Sequence, residues 1–227
     1  MKTELNILFE DNHLLIINKP AGMLVQGDKT GDDSLLDKGK AYIAEKYNKP
    51  GAVYLGLPHR LDRPTSGIVV LAKTSKALER LNKLFQTREI QKTYWAIVKA
   101  NPPEVEATLT GYMYKNQEKN RSYVHAKPKK GGQLAELSYK IIGKSKYYNL
   151  LEVTPITGRH HQIRVQLASI GCPIKGDIKY GFKRSNPDRS IHLHARKLSF
   201  LHPVTKKQMN IGAKPPKEQV WDFFRDI

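Results

Sequence analysis

A single cysteine, Cys172, stands in the whole chain, so no internal disulfide can form, and the ligand spacing of a zinc site is absent. No apolar run approaches the ~20 residues of a membrane-spanning helix, and no amphipathic helix with a basic face is evident, which argues against a membrane partner. Neither standard glycine-rich phosphate loop is present. There is no internal repeat and no low-complexity tract long enough to act as a linker, so one domain over residues 1–227 is the economical reading. The N-terminus, Met1-Lys-Thr-Glu-Leu-Asn-Ile, lacks a signal-peptide layout, and Glu10 and Asp11 interrupt its apolar run. The cytoplasm is the expected compartment, and a monomer the default state.

Acidic residues are also few, and that imbalance is the first positive signal. The chain has 39 Lys and Arg against 21 Asp and Glu, a net charge of +18. Residues 1–48 net −2, and the remainder nets +20. Folding needs no such excess. It points to a polyanionic partner, and nucleic acid fits better than a membrane surface.

Periodicity gives a coarse map. Leu5–Phe9 and His13–Asn18 read as short strands, followed by a turn at Lys19-Pro-Ala-Gly22. Ser34 and Asp37 make a capping-box pattern, and Leu36, Ile43 and Tyr47 share a face, which predicts a helix over 35–47. Val53–Leu57 and Ile68–Ala72 read as strands. Thr74 is a plausible N-cap for a helix over 75–87. Lys92–Lys99 alternates, with Tyr94, Ala96 and Val98 on one side and Trp95 and Ile97 on the other. Residues 101–132 read as a turn-rich, basic loop or hairpin. Gln133–Ile142 and Tyr148–Pro155 look like paired strands. A helix follows over His161–Ile170 with Gly171 after it, then a strand over Ile191–Phe200, a hairpin partner at Lys206–Ile211, and a short helix at Val220–Phe224.

The stretch with most chemistry is Gly56-Leu-Pro-His-Arg-Leu-Asp-Arg-Pro-Thr-Ser-Gly67. It sets Asp62 between Arg60 and Arg63 on a turn that feeds an apolar strand. Asp62 reads either as a loop ion pair or as a reactive carboxylate kept ionised by cations. If residues 59–63 are extended, Arg60 shares a side with Asp62 and Arg63 points away. A second stretch, Thr157-Gly-Arg-His-His-Gln-Ile-Arg164, places Arg164 one helical turn beyond His160 and His161, where it could hold a carboxylate bidentately; Arg159 and Arg164 could equally bind phosphates or solvate the helix. Between Lys115 and Lys146 lie nine basic residues against two Glu, a solvated face or, given Tyr112, Tyr114 and Tyr123, a nucleic-acid surface. Other templates do poorly. A glycosidase or nuclease would need a second carboxylate, and Asp177, the one rival, is expected to organise its own loop. Ser66 is not a nucleophile elbow. His192 and His194 could share a strand face as metal ligands, but no third ligand is evident.

The motif His-Arg-Leu-Asp-Arg-Pro-Thr-Ser-Gly at 59–67 resembles the signature of the RluA-type pseudouridine synthases. Ile7–Gly22, Lys92-Thr-Tyr-Trp-Ala-Ile-Val98, Thr157–Arg164, Gly176-Asp-Ile-Lys-Tyr-Gly181 and Leu193-His-Ala-Arg-Lys-Leu198 are similar to further family segments, in family order. The resemblance implies an α+β fold with a central, mostly antiparallel mixed sheet, flanking helices and a cleft. It implies isomerisation of uridine to pseudouridine in ribosomal or transfer RNA, with no metal or organic cofactor. By the same resemblance Asp62 is the catalytic carboxylate, Arg164 its charge partner, Tyr94 the ring that stacks on the flipped uracil, and Arg60 the side chain that fills the gap it leaves. His59, Arg159 and Gln162 are expected at the RNA, as are Lys127, Lys129 and Lys130 in the basic stretch. Stem-loop RNA is the expected partner, because side chains enter an A-form major groove poorly. A binding-only protein with this fold is the rival reading, and the retained Asp62, Tyr94 and Arg164 count against it. His160 departs from the family, which carries a small hydroxyl residue there. No room is expected before residue 5 for the extra N-terminal RNA-binding domain that many relatives carry.

Overall fold

The computed structural model describes residues 5–28, 31–224 and 227; residues 1–4 of the N-terminal reading lie outside these. The elements run in the order β1 (Ile7–Glu10), β2 (Leu14–Lys19), α1 (Leu35–Lys46), β3 (Ser66–Ala72), α2 (Ser75–Gln86), β4 (Gln91–Val98), β5 (Glu106–Asn116), β6 (Arg121–His125), β7 (Gln133–Lys144), β8 (Asn149–Pro155), α3 (Gln162–Ser169), a 3-10 turn (Ile178–Tyr180), β9 (Leu193–Leu201), β10 (Gln208–Gly212) and α4 (Gln219–Asp222). The class is α+β, as the sequence implied. The chain divides into two compact units, Met1–Gln91 with Ala195–Pro215, and Lys92–His194 with Pro216–Ile227.

In the first unit β1 pairs with β2, β2 with β3, and β10 with β9, all antiparallel. The runs Leu14–Ile17 and Ile68–Ala72 are continuous in apolar residues because both faces of β2 and β3 are covered. Leu14, Ile16, Ile68 and Val70 pack with Ala77 and Leu81 of α2. On the opposite face, a Cβ at Gly39 of α1 would crowd Leu55 at 3.0 Å while meeting Leu71 and Leu15 at ordinary contact distance. The helix starts follow from their caps. Asp37 N–H donates to Ser34 Oγ while Ser34 N–H donates to Asp37 Oδ2 in a full capping box, and Ala77 N–H donates to Thr74 Oγ1. Gly67 opens β3 at φ +116°, and a Cβ there would meet the Ala195 backbone at 2.4 Å. Only glycine fits that approach.

In the second unit β4, β8, β7, β5 and β6 lie side by side in that order, and each pairing is antiparallel. The alternation of β4 sorts its side chains as the sequence predicts. Ala96 and Val98 join Leu151, Val153 and the α3 residues Ile163 and Leu167, whereas Trp95 and Ile97 join Leu150 and the α4 residues Val220 and Trp221. Cys172 lies in the first of these clusters, and burial pushes its thiol up, which leaves it inert.

Two expectations change and one alternative is settled. Val53–Leu57 is not a strand: it makes a single bridge, Gly56 to Ala72, and Tyr54 beside it is exposed. Of the loop or hairpin read over 101–132, the hairpin is what forms, from the eleven-residue strand β5 and from β6. Glu106, Thr108 and Thr110 are the outward half of an alternating strand, whose inward half includes Ala107, Leu109 and Met113. The buried stripe of α1 is Leu35, Gly39 and Ile43, not Leu36, Ile43 and Tyr47.

Tyr47 is displaced from that stripe because it binds a carboxylate. Glu10, at the end of β1, accepts from Tyr42 Oη and Lys46 Nζ on Oε2 (2.8 and 2.6 Å) and from Tyr47 Oη and Lys73 Nζ on Oε1 (both 2.8 Å). Burial alone would raise the Glu10 carboxyl, but the bonds from Lys46, Lys73, Tyr47 and Tyr42 outweigh it and hold the pKa at about 2. The unfolded chain, with an ordinary glutamate near 4.5, therefore binds more protons than the native one between those values. The stabilisation is complete above about pH 4.5 and is lost as pH falls toward 2. Replacing Glu10 by Gln is expected to cost about 2 kcal/mol at neutral pH. Urea melts at a series of pH values should show the deficit shrinking below pH ~4.5; a pH-independent deficit would contradict the assignment.

Candidate active site

The turn that carries Asp62 is held by a buried cation that the sequence reading passed over. Lys19, at the end of β2, is 0% exposed. Its Nζ donates to the carbonyls of Pro20 and Met23 at 2.9 Å and of Arg63 at 3.3 Å. Burial pulls the Lys19 pKa down to about 7, with the Asp62 charge opposing and the Arg63 charge assisting. Three carbonyl acceptors use three ammonium protons, so the geometry is that of the charged lysine. Arg63 completes the clamp. Its carbonyl accepts from Gly22 N–H at 2.8 Å, its Nε donates to Gly22 O at 2.9 Å, and its Nη2 meets Asp32 Oδ2 at 2.7 Å. The end of β2 with its Pro20–Met23 turn and the chain just after Asp62 are thus tied together by three hydrogen bonds. This gives Arg63 a role that the sequence left open. Asp62 closes its own turn, its carbonyl accepting from Thr65 N–H at 3.0 Å, and its side chain is half-buried. Arg60 is exposed.

His59 has internal work. Its Nε2 accepts from Val70 N–H at 2.9 Å, and its ring stacks on Phe85 at 4.6 Å. An accepting Nε2 is unprotonated, so the imidazole is neutral in this arrangement.

In the second unit, the loop before α3 is organised by Gln162. Its Oε1 accepts from Thr157 Oγ1 (2.8 Å) and Arg159 N–H (2.9 Å), and its Nε2 donates to Glu136 O (3.0 Å). Gln162 is 4% exposed, so it shapes the loop from inside, a job different from the RNA contact that the sequence suggested. Arg159 donates its Nε to Leu134 O at 3.0 Å and stays partly exposed. His161 stands at φ +57°, a left-handed conformation that turns the chain into α3. Tyr94 is half-buried on β4 and packs against the cluster that holds Ile163 and Leu167.

Arg164 is 4% exposed and forms a bidentate pair with Asp177, Nε to Oδ2 at 2.7 Å and Nη2 to Oδ1 at 2.9 Å. Nη1 stands outside that fork. Asp177 also does what the sequence expected of it, since its carbonyl accepts from Tyr180 and Phe182 N–H and so organises its loop. The pairing with Arg164 was missed; with Lys175 and Lys179 flanking Asp177, nothing local marked a distant arginine as its partner. Lys127, Lys129 and Lys130 lie exposed between β6 and β7. His192 is not a free metal ligand. Its Nδ1 meets the Asn186 amide at 3.0 Å, its Nε2 meets Glu218 at 2.8 Å, and its ring stacks on Trp221 at 5.3 Å. Among the described residues no group of three or more His, Cys, Asp or Glu could hold a metal.

The model of the RNA pseudouridylate synthase family matches residues 13–169 of the chain. The chain belongs to this family. The span takes in Lys19, Asp62, Tyr94 and Arg164. Among its relatives, the ribosomal large subunit pseudouridine synthase C of Vibrio vulnificus is 37% identical over 220 residues, covering 94% of the chain and 66% of that protein. The corresponding synthase D of Zymomonas mobilis is 35% identical over 227 residues, covering 94% of the chain and 70% of that protein. The chain thus spans about two thirds of the length of these relatives. The solved human RNA pseudouridylate synthase domain containing 4 superposes with a TM-score of 0.80 at 27% identity, over 97% of the chain and 92% of the human one.

The Arg164–Asp177 fork makes a stability prediction for this family member. Asp177→Asn leaves a buried guanidinium facing a neutral amide and is expected to cost about 3 kcal/mol. Urea unfolding of the variant is the measurement, and a change under about 0.5 kcal/mol would show the pair to be energetically idle.

Proposed function

We propose that the chain converts a uridine in structured RNA to pseudouridine, with large-subunit ribosomal RNA as the first substrate to test and the cytoplasm as the compartment. The observation that carries this is the family match, which contains Asp62, Tyr94 and Arg164 in one continuous span. The relatives named for the ribosomal large subunit support the choice of RNA. The excess of positive charge supports a polyanionic substrate.

Asp62 supplies the carboxylate that starts the reaction. The N1–C1′ glycosidic bond breaks, the uracil rotates, C5 bonds to C1′, the C5 proton leaves to solvent, and the freed N1 takes up a proton in its place. A carboxylate can act only where the backbone around it is fixed, and the Lys19–Arg63–Gly22 clamp supplies that rigidity on the Asp62 turn. Arg164 serves Asp62 as its charge partner, and Tyr94 stacks on the flipped uracil and takes the C5 proton. Arg60, exposed two residues before Asp62, fills the gap left in the RNA. Arg159 and the exposed Lys127, Lys129 and Lys130 hold phosphates.

RNA transcribed with uridine tritiated at C5 tests the reading directly. The protein is expected to release tritium to water, and Asp62→Asn to release it at least roughly a thousandfold more slowly. Release undiminished in the variant would remove Asp62 from the mechanism, and no release by the intact protein would remove the activity.

A further inference from the structure

Four side chains of the second unit form a stacked column, of which the catalytic reading uses only Arg164. Arg164 Cζ lies 5.0 Å from the ring centre of Tyr180. Arg121 Cζ, on β6, lies 5.3 Å from that same ring and 5.6 Å from the ring of Tyr123. One phenol therefore stands between the buried guanidinium that holds Asp177 and a second guanidinium on the hairpin. Tyr123, the outer member, is 39% exposed. It lies on β6, the last strand of the unit's sheet.

The strand is fixed where the column forms. Ser122 N–H donates to Tyr180 Oη at 2.9 Å, and Ser122 Oγ shares a proton with His160 Nδ1 at 2.8 Å. Tyr180 Oη also bonds His161 Nδ1 at 2.8 Å, and the two imidazoles stack at 3.7 Å. Lys179 Nζ donates to Asn120 O at 3.1 Å, across the turn from Arg121. The residue that departs from the family pattern, His160, is thus the one that reaches the hairpin.

Arg121 and Arg164 contact the same tyrosine ring, so the two guanidinium charges there oppose one another. Among the described residues no carboxylate pairs with Arg121 or Lys179, and Arg121 Nε is enclosed without an acceptor. A guanidinium stacked between tyrosines is already ordered, so binding an anion with it costs little further entropy. An exposed tyrosine next to ordered cations is the pattern that single-stranded nucleic acid fits: phosphates on the cations and a base on the ring.

We infer that Arg121, Lys179 and Tyr123 form a docking strip for the substrate RNA, with Arg121 and Lys179 each taking a phosphate and Tyr123 stacking on a base. The identity of the ligand rests on the proposed function; the existence of the strip rests on the column.

The test uses an unmodified large-subunit ribosomal RNA transcript labelled with tritium at uridine C5, with affinity measured by filter binding across a series of KCl concentrations. Arg121→Gln and Lys179→Gln are each expected to weaken binding roughly tenfold and to lower the slope of log affinity against log salt by about 1. Tyr123→Ala is expected to weaken binding with the slope kept, and Tyr123→Phe to restore it. Lys217→Gln, the same charge loss at an exposed residue outside the strip, sets the baseline for non-specific attraction. If Arg121→Gln and Lys179→Gln fall on that baseline, the strip is overturned. Should Arg121→Gln fold poorly by thermal melting, the partly exposed Lys179 decides the question alone. Tritium release by the intact protein is read from the same samples. Its absence would overturn the proposed activity, while the binding curves would still decide the strip.

Discussion

The second unit is assembled around the buried fork between Arg164 and Asp177. An ion pair with both partners out of water repays its desolvation only when its geometry is good and the remaining protons and lone pairs are met. Here two parallel bonds of 2.7 and 2.9 Å meet the first condition, and the Tyr180 ring over the guanidinium adds to it. The consequences spread from there. The fork fixes the Asp177 turn, the turn fixes Tyr180, and the Tyr180 hydroxyl fixes both Ser122 on the hairpin and His161 at the start of α3. A single lost charge at Asp177 would thus loosen several elements at once.

The first unit solves a similar problem with a single buried cation. Lys19 binds backbone carbonyls, so its contribution is geometric: it joins two turns that would otherwise be independent loops. Arg63 reinforces the same junction from outside. The carboxylate between them is presented by a backbone with little freedom.

Elements whose signals are local were legible in the sequence. The caps at Ser34 and Thr74 placed two helices, and the period of two in Lys92–Val98 sorted Trp95 from Tyr94 correctly. What failed was pattern reading where composition misleads. Over 101–132 the polarity left loop and hairpin open, because an outward strand face and a loop look alike in composition; only the alternating Ala107, Leu109 and Met113 distinguish them. Tyr47 looked like core and is a hydrogen-bond donor to Glu10. Within the site, Asp62, Tyr94 and Arg164 stood out because their motifs are short and ordered. Lys19 and Asp177 did not, because a buried polar residue is identified by its partners, and those are set by folding. Gln162 and His59 were visible as residues but not as interior props, for the same reason.

Gly67 has a consequence for the order in which the chain can fold. Its missing Cβ admits the backbone of Ala195, a residue made much later in synthesis. The first unit is therefore split around the second: β2 and β3 emerge early, and the strand that meets Gly67 emerges only after residues 92–194. Throughout that interval Ile68–Ala72, uncharged and rich in β-branched residues, waits for its last neighbour. Such segments pair readily with other chains when left at an open edge. A glycine that looks like a packing detail thus ties the solubility of the nascent protein to how quickly its final third is delivered.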